Sequence, residues 1–168
     1  TATIACPVQM GSTDSGEAID ATTLELEVSS GATLTFDTGS CISGDAKISS
    51  TTVAGGTINL KTDNTFNGSL EIKEGVFNVY ADKAFGSTVG KTLIDVVDGK
   101  SPTSARVHFY AVMTSEDICF EGRNIERPVF FHAYGDKTQT VFNGTLTGNS
   151  NYRWYIHKTA QVVFNGFN

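Results

Sequence analysis

Apolar and polar residues alternate along much of this chain with the two-residue period of a half-buried strand. Leu24, Leu26 and Val28 fall on one face and Thr23, Glu25 and Glu27 on the other. Short runs of the same kind mostly begin after a glycine: 31–36, 56–60, 68–72 and 75–80. Further along, 106–112, 129–134 and 152–157 form a second, aromatic-rich set of strands. The best helical candidate, Tyr80 to Phe85 before Gly86, is long enough for only a turn or two. The pattern predicts an all-β chain.

The strands recur. Phe120 and Gly122, then Phe142, Asn143 and Gly144, then Phe164, Asn165 and Gly166 repeat an aromatic-polar-glycine signature at a step of 22 residues. Val97, Asp98 and Gly99 keep its form one step earlier. Gly31 to Gly56 and Gly44 to Gly68 are looser steps of 25 and 24 residues. A fixed step of this size predicts a parallel β-helix, or solenoid, in which each coil buries its apolar face against the next. The chain would make about seven coils at the ordinary strand spacing. Residues 1–21 read as an irregular N-terminal cap and 22–168 as the solenoid. Repeated Phe would then stack inside, and repeated Asn would form a hydrogen-bonded ladder. The competing architecture is a β-sandwich or jelly roll. There Asn67-Gly68, Asn143-Gly144 and Asn165-Gly166 would be hairpin turns.

Asn64, Thr65, Phe66, Asn67 and Gly68 precede a short strand to Ile72. A polar-glycine turn at Glu74-Gly75, a second strand to Tyr80 and a corner at Ala84, Phe85, Gly86 and Ser87 follow. This order resembles the passenger-associated repeat of bacterial autotransporters. The resemblance implies a right-handed β-helix, export to the cell surface, and a role as adhesin or stalk.

The net charge of −6 argues against a nucleic-acid binder, which needs a basic stripe, and disfavours docking on an anionic membrane. No apolar run is long enough to span a bilayer. Thr1 follows no initiator Met or apolar leader, so we expect a mature or excised segment. Of three cysteines, Cys6 and Cys41 are expected to form a bridge closing the N-terminal region. Cys119 is expected to be a buried free thiol.

Chemistry is sparse. Gly86 to Thr92 imitates a phosphate loop but has three residues between its glycines where four are required. Asp95, Asp98, Glu116, Asp117 and Glu121 are scattered and read as solvated charge, not as a carboxylate pair. His108, His132 and His157 could share a column, yet no carboxylate or thiol completes a metal set. The sequons at Asn67 and Asn143 occupy turn positions, and the turn also accounts for Asn165. No catalytic, cofactor or metal residues are therefore assigned. Tyr110, His132 and Trp154, at steps of 22, form either a flat glycan-stacking strip or part of the core.

The expected function is a non-enzymatic, secreted or cell-surface structural and adhesive module whose partner is a surface glycan or protein. A self-assembling filament or sheath subunit is the alternative, and a carbohydrate-active domain a weaker one.

Overall fold

The computed structural model describes residues 1–10, 23–44, 47–51, 56–94, 105–110, 112–120, 129–135, 139–148 and 152–166. The chain passes repeatedly through the same sheets in the same order. The first pass holds β1 (Ala2–Ile4), β2 (Val8–Met10) and β3 (Thr23–Leu26), and the second β4 (Thr33–Phe36), β5 (Ile42–Gly44) and β6 (Lys47–Thr51). Next come β7 (Thr57–Leu60) with β8 (Leu70–Glu74), then β9 (Val76–Val79) with β10 (Thr92–Ile94). The following passes are β11 (Arg106–Tyr110), β12 (Met113–Thr114) and β13 (Ile118–Phe120), then β14 (Val129–Tyr134), β15 (Gln139–Phe142) and β16 (Leu146–Gly148). The last is β17 (Tyr152–Ile156) with β18 (Gln161–Phe164).

Among the described residues four sheets result: β1-β4-β7-β9-β11-β14-β17, β16-β13-β10-β8-β6-β3, β12-β15-β18 and β2-β5. Every pairing between these strands is parallel. A jelly roll is built from antiparallel neighbours, so that alternative is set aside. Asn143-Gly144 is accordingly no hairpin turn, because β15 before it and β16 after it lie in different sheets. The N-terminal stretch is more regular than its small polar residues predict. β1 pairs with β4 and β2 with β5, and residues 11–22 lie outside the described residues. The Tyr80–Phe85 segment is a turn, closed by Ala84 N–H to Ala81 O at 3.3 Å and Gly86 N–H to Lys83 O at 3.0 Å.

Alternation decides which side chains enter the core. In the seven-stranded sheet, Ile58, Phe77, Val107 and Phe131 form one buried column and Phe36, Leu60, Val79, Phe109 and Ala133 the next. Fully burying each large side chain contributes about 2–3 kcal/mol. Phe109 and Phe131 stack at 6.0 Å, and Phe142 on Phe164 at 5.4 Å. The second of these is the internal aromatic stack expected from the 22-residue step.

Among the buried polar residues, Thr92 is stranded. Thr92 sits between Leu70 and Ile118, 0% exposed, with its Oγ1 lacking a hydrogen-bond partner among the described residues. Thr92→Val keeps the shape and removes the stranded hydroxyl. It should raise unfolding stability by about 1 kcal/mol in urea titration.

Candidate functional site

The outward positions of the seven-stranded sheet carry two neighbouring columns. The first runs Thr35, Asn59, Asn78, His108, His132 and Tyr155, each the register partner of the next. Its lower half is a hydrogen-bonded ladder. Asn59 Nδ2 donates to Thr35 Oγ1 at 3.0 Å, and Asn78 Nδ2 donates to Asn59 Oδ1 at 2.7 Å. His108 Nδ1 lies 2.9 Å from Asn78 Oδ1 and, facing an acceptor, carries the proton. The upper half is aromatic, with His132 stacked on Tyr155 at 5.0 Å.

The second column is made of rings. Tyr80 stacks on Tyr110 at 4.3 Å, Tyr110 on Tyr134 at 5.2 Å, and Tyr134 on His157 at 4.3 Å. The interplanar angles are 15°, 13° and 8°. Parallel stacking of identical positions forces this order, because register partners stand one strand spacing apart. The columns are tied together by His132 Nδ1 and His157 Nε2 at 2.8 Å. One of those nitrogens donates and the other accepts, so both rings cannot be cationic together.

Burial disfavours charge on His108, His132 and Tyr110. The His108 imidazole is held down to about 4, first by desolvation and then by His132, Arg106 and His157. His132 is lowered by burial, His157 and Arg106. Desolvation, followed by the Tyr80 and Tyr134 neighbours, pushes the Tyr110 phenol up to about 12. The rings stack face on face, so the strip presents ring edges together with hydroxyl, imidazole and amide groups.

The three residues expected to share a column do not. The expectation carried the 22-residue step of β15 to β18 into the aromatic strands, where the steps are 24 from His108 to His132 and 23 from His132 to Tyr155. Tyr110 and His132 lie in adjacent outward columns. Trp154 pairs with Phe131 and turns inward, its ring 4.5 Å from Phe131 and 5.3 Å from Phe142. Tyr80, Tyr134 and Asn78 belong to the face and were missed. The signal was present as a shared His-x-Tyr at His108 and Tyr110, then His132 and Tyr134. His108, His132 and His157 do come together, but among the described residues no three His, Cys, Asp or Glu side chains form a set able to hold a metal.

The repeat signature also divides. Phe142 pairs with Phe164, and Asn165 Nδ2 donates to Asn143 Oδ1 at 2.8 Å, forming the expected ladder. Gly166 packs directly over Gly144. Phe120, by contrast, pairs with Ile94 and Gly148 in another sheet, while Glu121 and Gly122 lie outside the described residues. The residue that packs against Gly144 is Glu116.

Glu116 is not solvated. It is 3% exposed, and its Oε2 has no hydrogen-bond partner among the described residues. Desolvation, with a smaller push from Asp117, raises its carboxyl to about 8. Asp95 and Asp98 lie outside the described residues. The expected Cys6–Cys41 bridge is not formed. Cys6, Cys41 and Cys119 belong to no disulfide, and Cys119 is half-buried between Leu93 and Thr147 instead of in the core.

No protein-family model matches the chain, and comparison with curated proteins and with solved structures finds no similar protein.

Proposed function

We propose that the chain is a stretch of right-handed parallel β-helix acting as a non-enzymatic, extracellular structural and adhesive module. The resemblance of residues 64–87 to autotransporter passenger repeats supports this setting. The observation that carries the adhesive part is the parallel stack of Tyr80, Tyr110, Tyr134 and His157 on one outer face. Its stacked rings cover one another's faces, so the strip presents ring edges and phenol hydroxyls to a glycan, and the flanking Asn and His groups offer hydrogen bonds to sugar hydroxyls.

A glycan array followed by calorimetry tests the reading. The double variant Tyr110→Ala, Tyr134→Ala should weaken the leading glycan at least tenfold, about 1.4 kcal/mol, with circular dichroism unchanged. Trp154→Ala should act through stability instead. Binding that survives the double variant, or hydrolysis of any bound glycan, would sink the proposal.

A second reading, a filament or sheath subunit, draws on Ile156. It is 55% exposed and is the outermost member of an otherwise buried column among the described residues. A following coil, of this or another chain, would cover it. Ordered polymers in electron micrographs would favour that reading.

A further inference from the structure

Charge is segregated between the sheets. The chain holds 18 Asp and Glu against 12 Lys and Arg, yet no strand of the seven-stranded sheet contains an acidic residue. The formal charges of those strands are Arg106 in β11 and Arg153 in β17. The six-stranded sheet, by contrast, carries Glu25, Glu71 and Glu74 beside Lys47 and Lys73.

Both arginines are exposed and occupy one outward column. Arg106 pairs with Phe130 and Phe130 with Arg153, so the two backbones stand two strand spacings, about 10 Å, apart. Outward positions recur every second residue, which sets this column next to His108, His132 and Tyr155. The charge of Arg106 bears on both His108 and His132, so its guanidinium stands beside the strip. Where the ring column continues past Tyr80, Lys61 offsets Asp37 at 3.6 Å. The outer face of β9, β11, β14 and β17 is thus a cationic, hydroxyl-bearing surface on an acidic protein.

We propose that this face docks an acidic glycan, with Arg106 and Arg153 holding carboxylates of its uronate units and the Tyr–His strip holding its hydroxyls. The inference rests on the glycan-binding reading above and narrows its ligand class. Charge complementarity carries the choice. A polyanion is repelled by a chain of net charge −6 except where acidic groups are missing and cations stand. The planar guanidinium fork takes two carboxylate oxygens at once. Two arginines so far apart suit the sparse charge of a uronate chain better than the dense charge of a sulfated one. Nucleic acid fits poorly, because bases stack on open ring faces and the faces of Tyr80, Tyr110 and Tyr134 cover one another.

The test is calorimetry of the whole chain with oligogalacturonate and oligomannuronate, each compared with its methyl ester. At least one free acid should bind with a Kd of about 1 mM or tighter. Its affinity should drop as salt is added. The methyl ester, which keeps the sugar and removes the charge, should bind about tenfold more weakly. Arg106→Gln combined with Arg153→Gln should bring the free acid down to the affinity of its ester. Circular dichroism should not change, since both side chains are exposed. Several outcomes would overturn the proposal: no binding of either acid, equal affinity for acid and ester, undiminished binding in the folded double variant, or tighter binding of heparin, a glutamate oligomer or single-stranded DNA. A neutral glycan that needs Tyr110 and Tyr134 but neither arginine, bound in preference to both acids, would overturn the acidic ligand class alone and leave the adhesive strip standing.

Discussion

Gly144→Ala should abolish folding of the chain, read as loss of the cooperative thermal transition and of soluble yield. A Cβ at this position would fall inside the Glu116 carbonyl group and 2.7 Å from Ser115 O. All of the nearest atoms are backbone, so no side-chain rotation relieves the clash. The two backbones are held in place by Val141 N–H to Val112 O and Asn143 N–H to Thr114 O, both at 2.8 Å. Relief therefore requires breaking the ladder, a loss well above the roughly 1 kcal/mol that glycine replacement ordinarily involves. Gly31→Ala is the control. Its φ of 74° brings strain, but nothing lies within 4 Å, so the cost should stay at about 1–2 kcal/mol. Melting of Gly144→Ala within a few degrees of wild type would show that the corner is looser than described.

Stability should fall steeply as pH rises from about 6.5 to 8, and Glu116→Gln should remove that fall. Glu116 has a folded pKa of about 8, above its unfolded value, so the folded state keeps a proton that the unfolded state has lost. Its contribution is complete below the unfolded pKa and is lost as pH rises towards 8, at about 1.4 kcal/mol per pH unit. His108 works in the opposite sense. Its folded pKa of about 4 lies below the usual histidine value, so the stability it permits is present above about 6.5 and is lost as pH falls through 4. The two slopes oppose each other in mildly acidic solution, where the stability maximum should lie. His108→Asn would continue the Asn59 and Asn78 ladder and, by removing the opposing slope, should extend the Glu116 decline down towards about pH 4.5. Urea titrations across this pH range check both. An unchanged alkaline slope in Glu116→Gln would refute the assignment.

The strand pattern was readable from the chain because alternation reports burial directly. Leu24, Phe77, Phe109 and Phe131 all stand at apolar positions of alternating runs, and all belong to or pack against the core. The ladder at Asn143 and Asn165 was also legible, because β15 and β18 keep a strict step of 22. The outward aromatic face was legible only in part. Tyr110 and His132 were identified as surface candidates, but their columns were misassigned and Trp154 was placed with them. Residues between one pass and the next vary in number: 19 from Ile58 to Phe77, 30 from Phe77 to Val107, 24 from Val107 to Phe131. A single period cannot carry register across such steps, since turns absorb insertions at little energetic cost.

Glu116 shows a second limit. Among Ser115, Asp117 and other polar neighbours it looks solvated, yet alternation with buried Thr114 and Ile118 turns it inward. By itself the sequence determined the all-β character, the repeated passes, and which faces of most strands are apolar. Each of these follows from local alternation and glycine placement. Only the tertiary structure decided which residues meet across passes: Tyr80 with Tyr110, His132 with His157, Trp154 with the core, and Glu116 beneath Gly144. Those meetings depend on sheet-specific register, which is fixed by simultaneous packing of the whole stack and not by any stretch of chain alone.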